Sequence, residues 1–391
     1  MKLLFAGDFA PDAASGKLTP ETARHCLAEL APVLQRADYR ILNLESVLIS
    51  DGVGAKIPKS GPNLRGVPED ISFLEAGGFD VAALANNHFG DYGYEGVRAT
   101  LRLLSEHHIL AVGGGETIEE AYRAVTLEKD GIRVALLSVC ENEFGVAGER
   151  SPGSAGFDLA RLARRIREEK ASSDFVIVFF HGGNEQNPLP APATVDRYRI
   201  LTELGTDAVI AGHTHCIQGY ETYQCKPIVY SMGNFYFPHR NGGMPKPWHY
   251  GYMCELEITK EGITPTLHPY RFSEEGREMH LFTGEERETM LRYIAMLSSF
   301  IDDRELLTRY FEGWCTTRGT SYANALCYDH CFERGDLSFD DLCRLAPTKN
   351  LFGCESHDCL LRTLLSLEME NRFEEAVPYR AKLEELQQMP L

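Results

Sequence analysis

Positive charge is scarce in this chain. Its 391 residues carry 39 Lys and Arg against 57 Asp and Glu, a formal net charge of −18. A phosphate backbone needs a basic face to bind to, so this balance argues against a nucleic-acid partner. Long apolar runs are lacking too; none reaches the roughly 18 residues that mark a membrane-spanning helix. The opening Met1-Lys-Leu-Leu-Phe-Ala-Gly-Asp8 has one lysine and an apolar stretch too short for a signal peptide. Cysteine is sparse in the first half, with Cys26 and Cys140 alone, and no Cys-x2-Cys pair occurs anywhere. The total of 11 is odd and scattered. Such usage fits reduced thiols and a cytoplasmic location. The hydrophobic fraction of 43% nonetheless suits a globular protein with a sizeable core.

What is present is a series of short apolar runs, each ending in a group that can bind a metal or move a proton. The sharpest is Asp207-Ala-Val-Ile-Ala-Gly-His-Thr-His215. Residues 208–211 are long enough for a buried strand, and Gly212 breaks the pattern as at a strand-to-loop turn. In an extended loop, residues two apart point the same way, so His213 and His215 can reach one metal or two neighbouring metals. On their own they fit a pair of surface histidines at a turn equally well.

The same pattern recurs along the chain. A strand from Leu3 runs into Gly7-Asp8, and an amphipathic helix is expected over 20–37. A strand from Tyr39 ends in Asn43-Leu44-Glu45. Residues 50–68, rich in Gly, Pro and Lys, read as a long loop whose cations are Lys56, Lys59 and Arg65. They are either solvated or available to a substrate. After a short helix to Gly77, the strand 79–85 ends in Asn86-Asn87-His88, with Asp91 close behind. That set can supply a metal ligand, a proton donor and its orienter. A helix at 95–108, a hairpin at 123–139 and a helix at 158–171 precede the most continuous apolar strand, Phe175–Phe180. It ends in His181-Gly-Gly-Asn-Glu185. A further strand from Lys226 leads to Asn234, and residues 250–271 alternate as closing strands do. Beyond about residue 275, helical spacing dominates over 284–311 and 359–387. Between those helices lie Cys315, Cys327, Cys331, Cys343, Cys354 and Cys359, with His330 and His357. Their spacing is loose for zinc, and buried free thiols between helices suit it better.

Taken jointly, Asp8, Glu45, Asn87, His181, His213 and His215 stand at strand ends, where sites of α/β proteins gather. Oxygen and imidazole donors together suit divalent Mn, Fe, Zn or Mg. The donors exceed the needs of one ion, and two ions sharing a carboxylate is the economical arrangement. No Ser or Cys in these motifs has an evident base beside it, so the nucleophile expected is water.

The sequence resembles the CapA family, named for a capsule protein of poly-γ-glutamate synthesis, within the calcineurin-like metallophosphoesterase superfamily. The resemblance rests on Gly7-Asp8, Asn43-Leu44-Glu45, Ala85-Asn-Asn-His88 with Asp91-Tyr-Gly93, and His181-x-Gly-x-Glu185. Gly212-His-Thr-His215 with Gln218-Gly219, and Tyr230-Ser-x-Gly-Asn-Phe235, complete it. These motifs cover about residues 1–250 and leave the helical tail out. The resemblance implies a four-layer α/β/β/α sandwich over 1–272, followed by a Cys-rich helical extension over 273–391. It implies that Glu45 bridges two metals, that Asn87, His181 and His213 complete one shell, and that Asp8 and His215 hold the other ion. His88 would face the leaving group, oriented by Asp91. Lys56, Lys59, Arg65, Glu185 and Asn234 would contact substrate. The chain departs from the superfamily in having Ala10 where a His is usual and Glu45 where the bridging residue is Asp. Within the CapA family those two changes are expected, whereas Gly182 replaces a usual Trp, and Gly-His-Thr-His is closer to ordinary phosphoesterases.

Two functions are consistent with this reading. One is a metal-dependent hydrolase that uses activated water on a phosphoester or a γ-glutamyl amide. The other is a non-catalytic binding, synthesis or export component for poly-γ-glutamate or another anionic capsule polymer. Export members generally carry an N-terminal membrane anchor, whereas this chain begins at its first strand, so it is expected either to be a soluble relative or to act on an intracellular substrate. The substrate expected is an anionic small molecule or polyglutamate-like.

Overall fold

The computed structural model describes residues 1–11, 18–238, 243–326 and 338–391. Two large sheets face each other. The first runs in the order Met279–Leu281, Gly262–Phe272, Tyr250–Thr259, Lys2–Phe9, Tyr39–Leu44, Val81–Ala83, Leu110–Val112, with Asn234–Tyr236 paired beside the end of Lys2–Phe9. The second runs Tyr220–Tyr223, Lys226–Val229, Ala208–Gly212, Phe175–His181, Ile132–Cys140, Val125–Lys129. The central strands of each sheet are parallel, so their carboxyl ends lie at one edge.

Alternation along the strands builds the layers. Leu3, Phe5, Ile41, Val81 and Ala83 face the second sheet, where Phe5 meets Phe179 edge-on at 5.8 Å between ring centroids. Leu4, Ala6, Leu42, Ala82 and Leu84 face the other way, onto Phe73, Leu74, Val97 and Leu104 of the helices Ile71–Gly77 and Gly93–Glu106. On the far side of the second sheet, Leu162, Ile166, Val195, Tyr198 and Leu201 of the helices Leu159–Lys170 and Pro192–Glu203 join the core. The result is a helix–sheet–sheet–helix sandwich followed by C-terminal helices.

The helix expected over 20–37 is two helices, Pro20–Cys26 and Ala31–Leu34, because Pro32 has no N–H to continue the first. In the tail, Gly284–Ser299 and Arg304–Leu326 are separate, and the Asp303 carboxylate caps the second by accepting from the Leu306 N–H at 2.9 Å. Phe339–Gly353, Glu355–Met369, Phe373–Ala376 and Pro378–Leu386 follow. Met290, Leu297, Trp314, Leu360 and Leu383 of these helices belong to the same buried cluster as the strands of the second sheet. No disulfide joins the described cysteines; Cys315 and Cys354 are buried, Cys343 and Cys359 half-buried. Cys327, His330 and Cys331 lie outside the described residues. Among the described residues no helix is long and apolar enough to cross a membrane.

Candidate metal centre

Strand register brings the donors together. Asp8 lies opposite Asn43 on one neighbour and Asn234 on the other, while His181 in the second sheet lies opposite Gly212 and Cys140. Gly212 lets the sheets meet: a Cβ there would stand 2.7 Å from Asp8 Oδ1. The His213 N–H crosses the seam to Asp8 Oδ2 at 3.0 Å. The two histidines of this loop are not in extended backbone, as the sequence suggested. His213 has φ 94° and His215 φ 53°, on the positive side that glycine adopts most readily. The twist aims the two rings at different carboxylate groupings, and such strain concentrates at functional sites.

One grouping is Glu45, His181 and His213. His181 Nε2 stands 3.0 Å from His213 Nδ1, 3.1 Å from Asn87 Oδ1 and 3.5 Å from Glu45 Oε1. A ring nitrogen has either one proton or one lone pair, so hydrogen bonding satisfies at most one of these contacts. The other grouping is Asp8, Glu45 and His215. His215 Nδ1 is 2.9 Å from Asn234 Oδ1, whose amide nitrogen donates to the Trp248 carbonyl at 3.0 Å. That fixes a proton on Nδ1 and turns the Nε2 lone pair to Glu45 Oε1, 3.8 Å away.

Glu45 is the observation that decides what fits. It is 0% exposed, and neither carboxylate oxygen has a hydrogen-bond partner. Burial raises its pKa well above the usual carboxylate value and the nearby Asp8 raises it further, with His215 opposing. Burial also pushes the His181 pKa down to about 4, against the pull of Asp8. Burial and His181 lower that of His213. Bare imidazoles around an orphaned carboxylate are what a divalent cation requires of its ligands. Ligands about 2.0–2.2 Å from an ion lie roughly 3.0–3.6 Å from one another, close to the separations found here. The residues therefore fit a divalent metal, with Glu45 common to both groupings.

Beside this centre, His88 Nδ1 lies 2.6 Å from Asp91 Oδ2. Lys59 is buried and donates to Asp91 Oδ1 at 2.7 Å and to the Asn87 carbonyl at 2.8 Å. Burial lowers the His88 pKa, as does Lys59, while Asp91 raises it. A cavity of about 300 Å³ opens over Asn87, His88 and His213, and Lys59 and Glu185 reach it. Glu185 is exposed to that space. Asn234 is buried behind His215 instead, and Lys56 and Arg65 lie off the cavity wall, with Arg65 paired to Asp51 and half-shielded over Tyr92.

Sequence reasoning missed Glu141 and Glu143, although Cys140-Glu-Asn-Glu143 ends a strand as the other motifs do. Glu141 pairs with Arg197 at 2.6 Å and accepts from the Ser356 hydroxyl at 2.7 Å. Glu143 Oε1 accepts from Asn350 at 3.0 Å and meets His357 Nε2 at 2.9 Å. Cys354 lies close to both acids, with its thiol on Glu141 Oε2 at 3.4 Å. Unlike Glu45, these carboxylates are supplied with donors by the protein itself, so they make no demand for an ion.

Two facing sheets with oxygen and imidazole donors collected at their strand ends define a helix–sheet–sheet–helix sandwich with a candidate divalent-metal site at one edge. The chain belongs to the family of bacterial capsule synthesis proteins, PGA_cap, whose model matches residues 2–239. It is 29% identical over 215 residues to the capsule biosynthesis protein CapA of Bacillus anthracis, covering 53% of this chain and 52% of that protein. It is 26% identical over 237 residues to the PGA biosynthesis protein CapA of Bacillus subtilis strain 168, covering 60% of this chain and 62% of that protein. The chain thus spans between about half and three fifths of the length of these relatives. A 5'-nucleotidase precursor from Thermus thermophilus superposes with a TM-score of 0.42 at 15% identity, over 76% of this chain and 57% of that one.

Proposed function

We propose that the chain is a metal-dependent hydrolase serving capsule polymer synthesis, acting on a phosphoester or a γ-glutamyl amide. The observation that carries this reading is the buried Glu45 carboxylate, without partners between two groupings of donors. In this reading Glu45 is shared, Asn87, His181 and His213 complete one shell, and Asp8 and His215 serve the other. Divalent ions bound there supply Lewis acidity toward a phosphoryl or carbonyl oxygen and acidify water. Asn234 and Asn43 orient ligands from behind, through His215 Nδ1 and through Asp8 Oδ1 at 2.8 Å.

His88 handles protons. With Asp91 holding Nδ1–H, Nε2 is the atom that takes a proton from the cavity and returns it to the leaving group. Lys59 neutralises Asp91 and keeps the ring in place. It thus acts behind His88 rather than as a surface cation, while Glu185 is the substrate-facing group of its loop. We also read residues 1–272 as the metal-carrying unit, 273–391 as an extension that completes its cavity, and the free thiols as signs of a reducing compartment.

The test is metal analysis of the purified protein, followed by turnover assays with added Mn on phosphoesters and γ-glutamyl peptides. Bound metal with turnover on one class supports the reading, and a protein that takes up no divalent ion sinks it. One observation favours a second reading, a non-catalytic polymer-binding component. Ala10, buried two residues after Asp8, stands where the superfamily has a ligating His, leaving the Asp8 grouping a donor short. That reading expects Mn uptake and affinity for an acidic polymer without turnover.

A further inference from the structure

The family match ends at residue 239, yet the cavity over the proposed centre is walled by much later residues. Trp314 and Tyr322 come from the helix Arg304–Leu326, Asn350 from Phe339–Gly353, and His357 and Leu360 from Glu355–Met369. These helices are fastened to the loop that follows the strand Ile132–Cys140. Asn142 donates to Glu355 through its N–H at 2.9 Å and its side chain at 2.7 Å. Ser356 and Asn350 donate to the buried Glu141 and Glu143. The wall is therefore a fixed part of the site.

The space is small and about half open to solvent. Its volume is about 300 Å³. That is the lower end of the range for ligand pockets, enough for one amino-acid-sized unit and too little for several in a row. Two charged groups from different elements line it, His357 and Glu185. In the wall, His357 is held by Glu143 at Nε2 and by the Tyr322 hydroxyl at Nδ1. Burial alone would lower its pKa, but the Glu143 hydrogen bond and charge outweigh it and leave the value raised. Glu185, on the strand-end loop, faces the cavity with no hydrogen bond or ion pair to the described residues.

We infer that the C-terminal helices select the substrate of the proposed centre: they wall it into a pocket for one small anionic unit, or for the free end of an anionic chain, with His357, both of whose ring nitrogens are bonded within the wall, facing the ligand's acidic group through charge rather than through a hydrogen bond. Glu185 is placed to receive an ammonium on the same unit, as an amino-acid terminus carries. The inference rests on the metal-dependent reading above. A chain bound along its length would need an open groove on both sides of the metals, whereas here the helices occupy the far side.

The test is calorimetric titration of the Mn-loaded full chain with γ-glutamylglutamate, with inorganic phosphate, and with poly-γ-glutamate of two lengths, alongside measurement of Mn content. Affinity for the polymer, per molecule of polymer, should be the same at both lengths. If it rises in proportion to length, internal segments bind and the inference fails. His357→Gln, which keeps a donor to Glu143, and His357→Ala should each bind γ-glutamylglutamate or phosphate about tenfold more weakly with Mn content unchanged. Unchanged binding in both variants with normal Mn overturns this inference alone. Mn-loaded wild type that binds neither small probe also overturns it. A wild-type chain without Mn uptake overturns the underlying reading and this inference with it.

Discussion

Single side chains divide into those that would hold the ion and those that act beside it, and substitution should separate the two. His213→Ala removes a donor from the Glu45 grouping and is expected to abolish both metal content and turnover. His88→Ala touches no ligand atom of that grouping; it should lower turnover by about 10²–10⁴ while metal content, read by atomic emission, stays at the wild-type level. Loss of metal in His88→Ala would contradict this division. Lys59 is a stability matter as well. Its ammonium and the Asp91 carboxylate are buried together at 2.7 Å, with side-chain exposures of 2% and 0%. Lys59→Met strands a buried carboxylate, and removing one partner of such a pair typically costs about 3–5 kcal/mol, so the urea midpoint should fall well below that of wild type. At this scale the sequence was readable where a donor follows an apolar run, because the strand delivers it to the sheet edge. Asp8, Glu45, Asn87, His181 and His213 all obey that rule. Lys59 did not, since its burial depends on a loop folding back over Asp91, and loop cations look alike in one dimension.

Elements meet at this site more closely than side chains would allow, and glycine is the reason. The strand Lys2–Phe9 runs beside Asn234–Tyr236, and a Cβ on Gly7 would stand 1.9 Å from the Gly233 carbonyl oxygen. Gly7→Ala must push the two strands apart, an overpacking change of about 1–3 kcal/mol or more. Asp8 is the next residue, so the same variant should also show weakened Mn binding by titration; a wild-type melting temperature and Mn affinity would show that the strands yield freely. The strands themselves were legible from alternation and length. Helix boundaries were less so, because apolar spacing continues across positions where the backbone cannot. Pro32 divides the helix expected over 20–37, and the second tail helix starts afresh at its Asp303 cap. Asn371, with φ 61°, likewise separates Glu355–Met369 from Phe373–Ala376. Nor could periodicity place His357. It approaches Glu143 across 214 positions of sequence, through helix packing that local pattern does not encode.

For the whole molecule, acid should act through buried imidazole as well as through charge. His268, in the strand Gly262–Phe272, has its pKa lowered to about 4, by burial first, with Glu255 opposing and Arg36, Arg287 and Lys2 reinforcing. Its unfolded value is about 6.5, so between these limits the unfolded chain binds the extra proton and stability falls as pH drops. Melting temperature should decline more steeply from pH 6.5 to 4 in wild type than in His268→Gln, and parallel slopes would count against this. A larger global effect is expected from the metal, because the proposed ligands straddle the seam between the sheets. Asp8, Glu45 and Asn87 belong to or follow strands of the first sheet; His181, His213 and His215 belong to or follow strands of the second. An ion shared across that seam binds only the folded arrangement, so it stabilises the fold by mass action. The gain is about 2.7 kcal/mol when free metal is a hundredfold above Kd. For a chain of this length the melting temperature should rise by a few degrees, on the order of 3–5 °C, on adding Mn and return to its starting value with excess chelator. His213→Ala supplies the control: it keeps the sheets but loses a ligand, and its melting temperature should not respond to Mn at the concentrations that shift wild type. An equal response in the variant would mean that Mn binds elsewhere on this acidic surface and that the seam does not hold the ion.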